Sequence, residues 1–589
     1  MLGRAVARLR NRLARREVPV WYSPAYRLPM TGLEASAGIE PRRADYVVWW
    51  MLDARALASS SLRTPQRVTY GDLDRVHTPE LLESLGRPET LARVFGVDPS
   101  DVPVDELMVT VQLACGGTLA AAREALVRRG PALNLQGGFH HAAPNTAGGL
   151  CPVNDVAVAL AALRAGGFAG HAAVLDLDAH PPDGIAACLA RDRSAWVGSL
   201  SGSDWGPLPG VDETVLPERA GDDAYLRALS ALLGRMPRPE LAFVLAGGDV
   251  LAGDRCGRLG LTLDGARRRD REVASALRGI PSVWLPAGGY HRDAWRVLAG
   301  TAMVLAACWD APIPARYDPL RARFARIARK LHPSDLSETE FTRADLEEAL
   351  GLSPRQRQRP LLGYYTAVGI EHALHRYGMV DHLQRIGYAG CRVALDRAGP
   401  GERLRLFGHA TGAAQEGPEL LLIEFVLERR RVLEADVLYV HWLTLRNPRA
   451  QFSALRPRLP GQEVPGLGLA REVSELLALI ARRLGLAGVV FRPAYFHTAY
   501  PGRHSFSFLD AARQGRFEAL VRDLAALPLR DATAAVADGR VLLDGAPYVW
   551  EADDMVFWLR PGVAPDATIV ARERERTRFT VVPASPDSC

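Results

Sequence analysis

The stretch AAVLDLDAHPPDG, residues 172–184, is an apolar run followed by aspartates and a histidine. Four comparable apolar runs surround it: PALNLQGG (131–138), AWVGSLSG (195–202), LAFVLAGGD (241–249) and PSVWLPAGGY (281–290). Helical patterns lie between them, for example over residues 153–167 and 263–279. Continuous apolar strands that alternate with helices indicate a parallel sheet covered by helices on both faces. Residues 17–310 are therefore predicted to form an α/β domain.

Polar side chains follow several of these strands at the point where each strand ends. Asp178 and His180 are two residues apart, so in an extended chain they point to the same side. Asp249 follows another apolar run. Ligands of parallel sheets bind outside the carboxyl ends of the strands, so we expect the three side chains to converge on one cation. Two carboxylates and an imidazole leave positions open for water and substrate, as catalytic zinc requires.

Two histidines and a tyrosine end two other strands. His140 and His141 lie in GGFHHA (137–142), which suits one general base and one electrostatic partner beside a metal-activated water. Each imidazole needs an acidic partner to fix its tautomer, and Asp176 and Asp183 are available. The glycines of PAGGY let the backbone bring Tyr290 to a strand end, where its hydroxyl can donate to a developing oxyanion.

Each cluster by itself also has an ordinary structural explanation. An Asp-x-Asp-x-His at a strand end is commonly a turn or cap, a histidine pair commonly lies on the surface or in a satisfied core, and Gly-Gly-Tyr is commonly a turn. The combination is more specific, because all three clusters end strands of one predicted sheet between residues 137 and 290.

These motifs, with GGLCPVNDVAVA (148–159), GSLSG (198–202) and GGDVLAGD (247–254), resemble those of histone deacetylases. Bacterial acetoin-utilisation proteins and acetylpolyamine amidohydrolases share them. The resemblance covers about residues 20–310. It implies the arginase/deacetylase fold and the removal of an acyl group from an amine.

The resemblance implies two cation sites. A zinc ion, Zn(2+), would be held by Asp178, His180 and Asp249. A structural monovalent cation, K(+), would be bound by Asp176, Asp178, His180, Ser199 and the carbonyl of Leu200. Arginases and agmatinases, which use two manganese ions, place an Asp where this chain has Pro182. The missing ligand favours one zinc ion and amide hydrolysis.

The resemblance also implies roles for the remaining polar residues. His141, paired with Asp183, would be general base and then general acid. His140, paired with Asp176, would act mainly through its charge. Tyr290 would hold the tetrahedral oxyanion together with zinc.

Departures from the family pattern affect the expected substrate. Pro181-Pro182 replaces the usual His-Gly and removes backbone N–H donors. The substrate tunnel, usually walled by two aromatic residues, would here contain Gly149, Leu150, Trp205 and Leu208. An aliphatic wall is wider, so acyl-lysine, acylpolyamines and longer acyl groups all stay open as substrates.

The second half of the chain has a different pattern. Residues 311–355 are predicted to form a linker with a short helix (345–352), and residues 356–560 an α+β domain. Residues 561–589 are predicted to be a loosely ordered tail. The order of strands, glycine-rich loop, helix 469–485 and strand 488–496 resembles GNAT acetyltransferases.

The GNAT resemblance implies that acetyl-CoA binds at a loop with Gln462, Gly466 and Gly468, because free N–H groups at a helix start bind phosphate. Gln462 is one residue too far from Gly466 for the family pattern, and Pro465 lacks an N–H. The alternative is an ordinary glycine-rich turn. Tyr495, His497 and Tyr500 would either line a site or form a surface aromatic cluster.

Bulk properties exclude several classes of protein. A net charge of +5 does not favour direct nucleic-acid binding, and no apolar run approaches the roughly 18 residues that span a membrane. Seven cysteines without a CxxC pair indicate reduced thiols in a cytoplasmic protein. Residues 1–16 are predicted to form a basic helix that packs Leu9 and Leu13 on the body. The oligomeric state stays open.

Three functions remain in competition at this point. The first is a zinc-dependent deacylase with an accessory domain. The second is a bifunctional enzyme that removes acyl groups at one site and transfers them at another. The third is a catalytically weakened binding scaffold, suggested by the proline and leucine departures.

Overall fold

The computed structural model describes residues 2–306, 313–337, 359–411, 417–453, 456–560 and 564–583. The chain forms two compact units, Met1–Ala322 (unit 1) and Arg323–Cys589 (unit 2). The helix predicted at residues 345–352 lies outside the described residues. No helix in the described part is long and apolar enough to cross a bilayer.

Unit 1 contains one sheet of eight parallel strands. They are β1 (Val20–Trp21), β2 (Leu62–Arg63), β3 (Pro131–Asn134), β4 (Ala172–Asp176), β5 (Ala195–Ser201), β6 (Val211–Val215), β7 (Leu241–Leu245) and β8 (Ser282–Leu285). Their spatial order is β2-β1-β3-β8-β7-β4-β5-β6, and every neighbouring pair is parallel. The predicted α/β fold with a parallel sheet is confirmed.

Helices flank this sheet. They are α1 (Leu2–Ala14), α2 (Leu33–Ala37), α3 (Arg43–Asp53), α4 (Tyr70–Leu73), α5 (Pro79–Ser84), α6 (Pro88–Phe95), α7 (Val104–Arg128), α8 (Asp155–Ala165), α9 (Asp183–Leu189), α10 (Asp222–Arg235), α11 (Leu263–Ala276) and α12 (Ala294–Leu305). Helix α7 packs on β3 and β8, and α10 packs on β5 and β6. All residues of β4, β7 and β8 are buried, as expected for parallel strands covered on both faces.

The strand order explains how distant sequence motifs meet. Strands β3, β8, β7 and β4 are consecutive neighbours in the sheet, although they are far apart in the chain. Because all four are parallel, the loops that follow them leave the same edge. These loops carry the histidine pair, the PAGGY turn, Asp249 and Asp178 with His180.

The packing expected for the N-terminal helix is wrong. Helix α1 forms, but Leu9 is 58% exposed and Leu13 is 78% exposed. The buried side chain is Asn11, whose amide donates to the carbonyl of Ala54 at 3.2 Å. A side-chain amide that satisfies a carbonyl at a helix end therefore anchors α1, and the apolar stripe faces outward.

Unit 2 is built on a mixed seven-stranded sheet in the order β14-β17-β13-β12-β11-β10-β9 and a three-stranded sheet in the order β16-β15-β18. The strands are β9 (Tyr388–Ala398), β10 (Gly401–Ala410), β11 (Leu420–Val432), β12 (Ala435–Leu445), β13 (Gly488–Phe491), β14 (Ser507–Phe508), β15 (Val541–Leu543), β16 (Ala546–Pro547), β17 (Met555–Trp558) and β18 (Phe579–Val581). Strands β9 to β12 are antiparallel, whereas β13 is parallel to β12. A second, sheet-containing domain therefore follows the first, as predicted.

The helices after unit 1 surround these sheets. They are α13 (Pro319–Ala328), in which the division between the units falls, α14 (Ser334–Ser337), α15 (Ala367–Arg376), α16 (Met379–Arg385), α17 (Ala470–Arg483), α18 (Phe496–Ala499), α19 (Ala511–Asp523), α20 (Leu529–Ala537) and α21 (Ala567–Arg576). Helices α15, α16 and α17 contribute to one core with β9, β10, β11 and β12.

The prediction of a loosely ordered tail is wrong for residues 564–583. Helix α21 packs on α19, and β18 pairs with β15. Phe579 of β18 is 6% exposed and contacts the ring of Tyr548 at a centroid distance of 5.0 Å. Helix packing, strand pairing and burial of this ring together order a segment that is rich in charged residues.

The ordered tail predicts an energetic cost for removing its anchor. Phe579→Ala is expected to lower the free energy of unfolding of unit 2 by about 3 kcal/mol, because a buried aromatic ring leaves a cavity. Thr580→Ala, at the exposed neighbouring position, is the matched control. Denaturant unfolding of the full chain measures both, and equal stability of the two variants would contradict the ordered tail.

Candidate active site

The three predicted metal ligands lie together at the edge of the sheet. Asp178, His180 and Asp249 each offer one ligand atom, and these atoms lie within 4.8 Å of one another. His180 Nδ1 is 3.1 Å from Asp178 Oδ1 and 3.0 Å from Asp249 Oδ2. The convergence follows from the hydrogen-bonded pairing of β4 with β7, because each aspartate lies in the loop that follows one of these strands.

Backbone donors hold the two carboxylates in place. The N–H of Gly288 donates to Asp178 Oδ2 at 2.7 Å, and the N–H of Ala179 donates to Asp249 Oδ1 at 3.0 Å. Asp249 Oδ2 is buried, and in the described part of the chain no donor reaches it with hydrogen-bond geometry, although His180 Nδ1 lies 3.0 Å away. A buried carboxylate oxygen without a donor is costly, and a cation at this point would satisfy it.

The charges of the cluster also favour a cation. Burial raises the pKa of Asp249, and the negative charge of Asp178 adds to the effect, giving a value of about 8. Burial lowers the pKa of His180, but the two carboxylates outweigh it and raise the value to about 11. Two buried carboxylates therefore attract positive charge, and two oxygens with one nitrogen form a donor set that fits zinc.

The histidine pair lies beside this cluster. The rings of His140 and His141 have centroids 4.0 Å apart, and the rings of His141 and His180 are 5.9 Å apart. Nδ1 of His140 is 2.9 Å from Asp176 Oδ2, and Nδ1 of His141 is 2.6 Å from Asp183 Oδ1. Each carboxylate therefore accepts from one Nδ1–H and leaves the Nε2 atom for other contacts.

The two imidazoles differ in their charge. Burial lowers the pKa of His140, but Asp176 and Asp178 outweigh it and raise the value to about 9. Burial and the neighbouring His140 together lower the pKa of His141, against the opposing effect of Asp183. At neutral pH, His140 is therefore positively charged and His141 is neutral, which separates an electrostatic role from that of a base.

Tyr290 lines the same cavity as His140. This cavity has a volume of about 60 Å³, and its wall includes Gly149, Leu150 and Cys151. Burial raises the pKa of the Tyr290 phenol well above its ordinary value, and the charges of the nearby aspartates add to the effect. The hydroxyl therefore stays protonated and can donate a hydrogen bond into the cavity.

Of the residues predicted to line the substrate tunnel, some contact the catalytic cluster and others pack on the surrounding core. Trp205 stacks on His141 with a centroid distance of 5.3 Å and an interplanar angle of 29°. Leu150 lines the cavity and packs on the main core of unit 1. A Cβ atom on Gly149 would lie 2.4 Å from the His141 ring, so only glycine fits there. None of the described contacts brings the Leu208 side chain to this cluster.

The residues implied for a monovalent cation are also neighbours. Asp176 on β4 pairs in register with Ser199 on β5. Ser199 Oγ is buried without a hydrogen-bond partner in the described part of the chain, and Leu200 beside it is fully buried. The Ser199 hydroxyl is therefore available as an oxygen donor.

Sequence reasoning overlooked the residues that brace the loops. Asp155 accepts from the N–H groups of Gly138 and Phe139 at 3.0 and 2.7 Å, and it fixes the turn before the histidine pair. Arg43 donates to the carbonyls of Ala287 and Gly288 at 2.9 and 3.1 Å, and it fixes the turn before Tyr290. Asp155 lies in a quoted motif, whereas Arg43 is 245 positions from one of its partners and gives no local signal.

Pro181 and Pro182 lie just before helix α9, which contacts the loop that carries the histidine pair. Asp183 begins helix α9 directly after Pro182, and the N–H of Ile185 donates to the carbonyl of His140 at 3.0 Å. Gly184 touches the backbone of the histidine pair so closely that a Cβ atom there would lie 2.4 Å from the His141 carbonyl carbon. The prolines thus lead into a helix that supports both histidines.

In unit 2, the predicted acyl-CoA loop lies against the end of β12. Gln462 accepts from the Leu459 N–H at 3.1 Å, so its side chain closes a local turn. The carbonyl of Pro465 accepts from the Asn447 N–H at 2.7 Å. In the part of the chain that the structure describes, the N–H groups of Gly466 and Gly468 have no acceptor.

The aromatic residues after β13 form a small stack. Tyr495 and His497 have ring centroids 5.5 Å apart at an angle of 15°. Burial lowers the pKa of His497 to about 4. A Cβ atom on Gly461 would lie 2.3 Å from the Tyr495 ring, so this stack packs on the glycine-rich loop.

Unit 1 is thus an α/β protein with a candidate metal centre at the carboxyl edge of its sheet. Residues 38–306 match the histone deacetylase domain family. Histone deacetylase 2 of Arabidopsis thaliana is 29% identical over 301 residues, covering 48% of this chain and 77% of the relative. An uncharacterized protein of Picosynechococcus sp. is 30% identical over 296 residues, covering 47% of this chain and 93% of the relative.

Histone deacetylase clr6 of Schizosaccharomyces pombe is 30% identical over 279 residues, covering 43% of this chain and 68% of the relative. The crystal structure of an HDAC homolog complexed with SAHA is 21% identical, with a TM-score of 0.42, and covers 50% of this chain and 84% of that one. The chain belongs to the histone deacetylase family.

The close approach of Gly149 to His141 gives a test of the site. Gly149→Ala is expected to lower the turnover of an acylated test substrate by roughly 100-fold, because the new methyl group displaces the His141 ring. Gly148→Ala is the matched control, since a Cβ atom there meets nothing within 4 Å. Steady-state kinetics measures both, and similar turnover would mean that the position of the His141 ring does not matter.

Proposed function

We propose that unit 1 is a zinc-dependent amide hydrolase that removes acyl groups from amines. The observation that carries the proposal is the convergence of the Asp178, His180 and Asp249 ligand atoms beside two imidazoles, each of which is held by its own carboxylate. A binding scaffold has no physical need for two such imidazole–carboxylate pairs beside a metal centre. Membership of the histone deacetylase family supports the same conclusion.

Zinc would be held by Asp178, His180 and Asp249, and when bound it would polarise the amide carbonyl and lower the pKa of water. A buried Asp249 Oδ2 that accepts no well-aligned hydrogen bond supports this assignment. Backbone donors from Ala179 and Gly288 hold one oxygen of each carboxylate, which would leave the other oxygen of each for the cation.

His141 is suited to take the proton from the attacking water. Its lowered pKa keeps it neutral, and Asp183 accepts from Nδ1–H and fixes the tautomer that leaves Nε2 free. As the water oxygen bonds to the carbonyl carbon, Asp183 stabilises the imidazolium that forms. His141 then returns the proton to the amine nitrogen as the C–N bond breaks, and the products are a carboxylic acid and an amine.

Tyr290 and His140 are suited to stabilise the negative charge that develops on the carbonyl oxygen. The protonated phenol of Tyr290 donates to the carbonyl oxygen as negative charge develops on it. The positive charge of His140, held by Asp176, stabilises the same build-up of charge. Asp176, Asp178, His180, Ser199 and the Leu200 carbonyl would hold K(+), which would tie the ends of β4 and β5 together.

The substrate would be an acylated amine, either acyl-lysine or an acylpolyamine. Trp205 provides one aromatic wall against His141, and it is half exposed, so it can contact an alkyl stem at the entrance. Leu150 gives an aliphatic inner wall. One aromatic wall instead of two holds the stem less tightly and leaves room for acyl groups longer than acetyl.

Metal analysis and a fluorogenic acyl-lysine assay test the proposal. The purified chain is expected to contain about one zinc ion, and Asp178→Ala is expected to lose both zinc and activity. His141→Ala is expected to keep zinc and lose activity by roughly 100-fold or more, since it removes only the proton transfer. Metal content and rate together separate binding of the ion from catalysis.

His171→Ala is the matched control, because His171 is an exposed histidine remote from the cluster. It is expected to keep both zinc and activity. Full activity in Asp178→Ala or His141→Ala would refute the hydrolase assignment, and zinc without activity in the unchanged chain would favour the scaffold.

We also propose, as a second candidate, that unit 2 binds acyl-CoA. The observation that favours it is a gap between two parallel strands. Strands β12 and β13 pair only over Leu438–Val440, whereas β12 continues to Leu445. His441 is an extra residue in the β12 register, and such a bulge bends the strand away from its neighbour. The free N–H groups of Gly466 and Gly468 precede helix α17 beside this gap.

Calorimetric titration of the full chain with acetyl-CoA tests the second candidate. Saturable binding is expected, and Gly466→Pro is expected to abolish it, because proline removes one of the free N–H donors. Gly466→Ala is the matched control, because it keeps the N–H donor and a Cβ atom there meets its nearest neighbour at 3.7 Å. Absence of heat with the unchanged chain would leave the loop as an ordinary turn.

A further inference from the structure

Unit 2 contains an apolar cavity that neither the deacetylase site nor the acyl-CoA loop uses. Its volume is about 100 Å³, and it lies between helices α15 and α17 and the face of strands β10 and β11. Ile370 and Leu374 line it from α15, Leu477 from α17, and Leu406 and Ile423 from the sheet.

An apolar lining of this kind favours an apolar occupant. Protein interiors are close-packed, and apolar walls without a partner lose the dispersion contacts that packing would give. Water is not a good occupant, because a water molecule needs two or more polar partners. Ala373 also lines the cavity, and a larger side chain at this position would fill part of it. The small residue keeps the space open.

Polar groups are concentrated at one end of the cavity. Arg483 lines it, and its guanidinium donates to the carbonyls of Ala328 at 2.9 Å and Leu331 at 3.2 Å. In the part of the chain that the structure describes, no carboxylate forms an ion pair with Arg483. Its positive charge is therefore balanced only by carbonyl dipoles, and an anion beside it would be favourable.

Two phenols accompany this arginine. Tyr365 and Tyr377 both line the cavity, and Arg483 is close enough to act on the charge of each. Burial raises the pKa of Tyr377 to about 12 and also raises that of Tyr365. Both hydroxyls are therefore neutral donors at physiological pH. A cation and two hydroxyl donors at one end of an apolar space match a ligand with an anionic oxygen group and an alkyl body.

We propose that the unit 2 cavity binds a monocarboxylic acid of medium chain length. The alkyl chain would occupy the space between α15, α17 and the sheet, and the carboxylate would lie at Arg483 and the two tyrosines. A single water molecule needs roughly 10–15 Å³ of cavity volume. The cavity of about 100 Å³ therefore holds about seven to ten groups of that size, which suits a chain of about eight carbons. The proposal is independent of the deacylase activity of unit 1.

Calorimetric titration of the full chain with octanoate tests the proposal. Octanoate is expected to bind with a stoichiometry of one. Octylammonium has the same chain with the opposite charge and is expected to bind at least tenfold more weakly. Butyrate, which carries the carboxylate without the chain, is expected to bind at least tenfold more weakly as well.

Two variants separate the apolar part from the charged part. Ala373→Phe is expected to abolish octanoate binding by filling the cavity, whereas His372→Phe, which adds the same ring at an exposed position of α15, is expected to leave it unchanged. Arg483→Gln keeps an amide donor for the carbonyls of Ala328 and Leu331 and is expected to weaken octanoate about tenfold without changing the binding of octanol. Circular dichroism and thermal unfolding of each variant verify that the chain is folded.

The outcomes are decisive in both directions. Octanoate binding that Ala373→Phe removes and Arg483→Gln weakens would establish the site. No binding of octanoate, equal binding of octylammonium, or binding that persists in a folded Ala373→Phe variant would overturn the proposal. Loss of deacylase activity in a unit 1 variant leaves the expected octanoate binding unchanged, so failure of either proposal is recognised separately.

Discussion

Two buried carboxylates at the ends of neighbouring parallel strands are the constraint on which the site of unit 1 depends. Burial raises the pKa of Asp249, and repulsion from Asp178 in a medium of low dielectric constant raises it further. Folding brings them together only because β4 and β7 are hydrogen-bonded neighbours with buried residues throughout. Their approach concentrates negative charge that a cation would neutralise, and it also sets the charge of the nearby imidazoles.

Loops that carry such groups cannot be loose, since catalysis depends on positions held within about half an ångström. Asp155 and Arg43 provide this rigidity, because each uses a buried charge to satisfy backbone groups of a functional turn. Burial of a charge is costly unless it is hydrogen-bonded, so these turns and their charges stabilise each other. The result is a site whose geometry is determined by backbone contacts as much as by the reacting side chains.

Unit 2 is organised differently, and its packing creates a strand bulge and an apolar cavity. The bulge at His441 separates two parallel strands, and the apolar cavity lies between α17 and the sheet on which it packs. Neither feature was visible in the sequence, because strand register and the fit between helix and sheet are set by long-range contacts. The tail illustrates the same point: α21 packs on α19, β18 pairs with β15 and Phe579 contacts Tyr548, and all of these contacts join residues that are distant in the chain.

The sequence by itself determined the parallel sheet of unit 1, because its apolar runs alternate with helical patterns, and it identified the clusters at the strand ends. It also indicated the order of the main elements of unit 2. The tertiary structure decided which strands are neighbours, and therefore which of those clusters meet. It also decided that Trp205 rather than Leu208 faces His141, and that Leu9 and Leu13 lie outside the core. The physical reason is that periodicity encodes local conformation, whereas contacts such as that of Arg43 with Gly288 join distant residues and exist only in the folded chain.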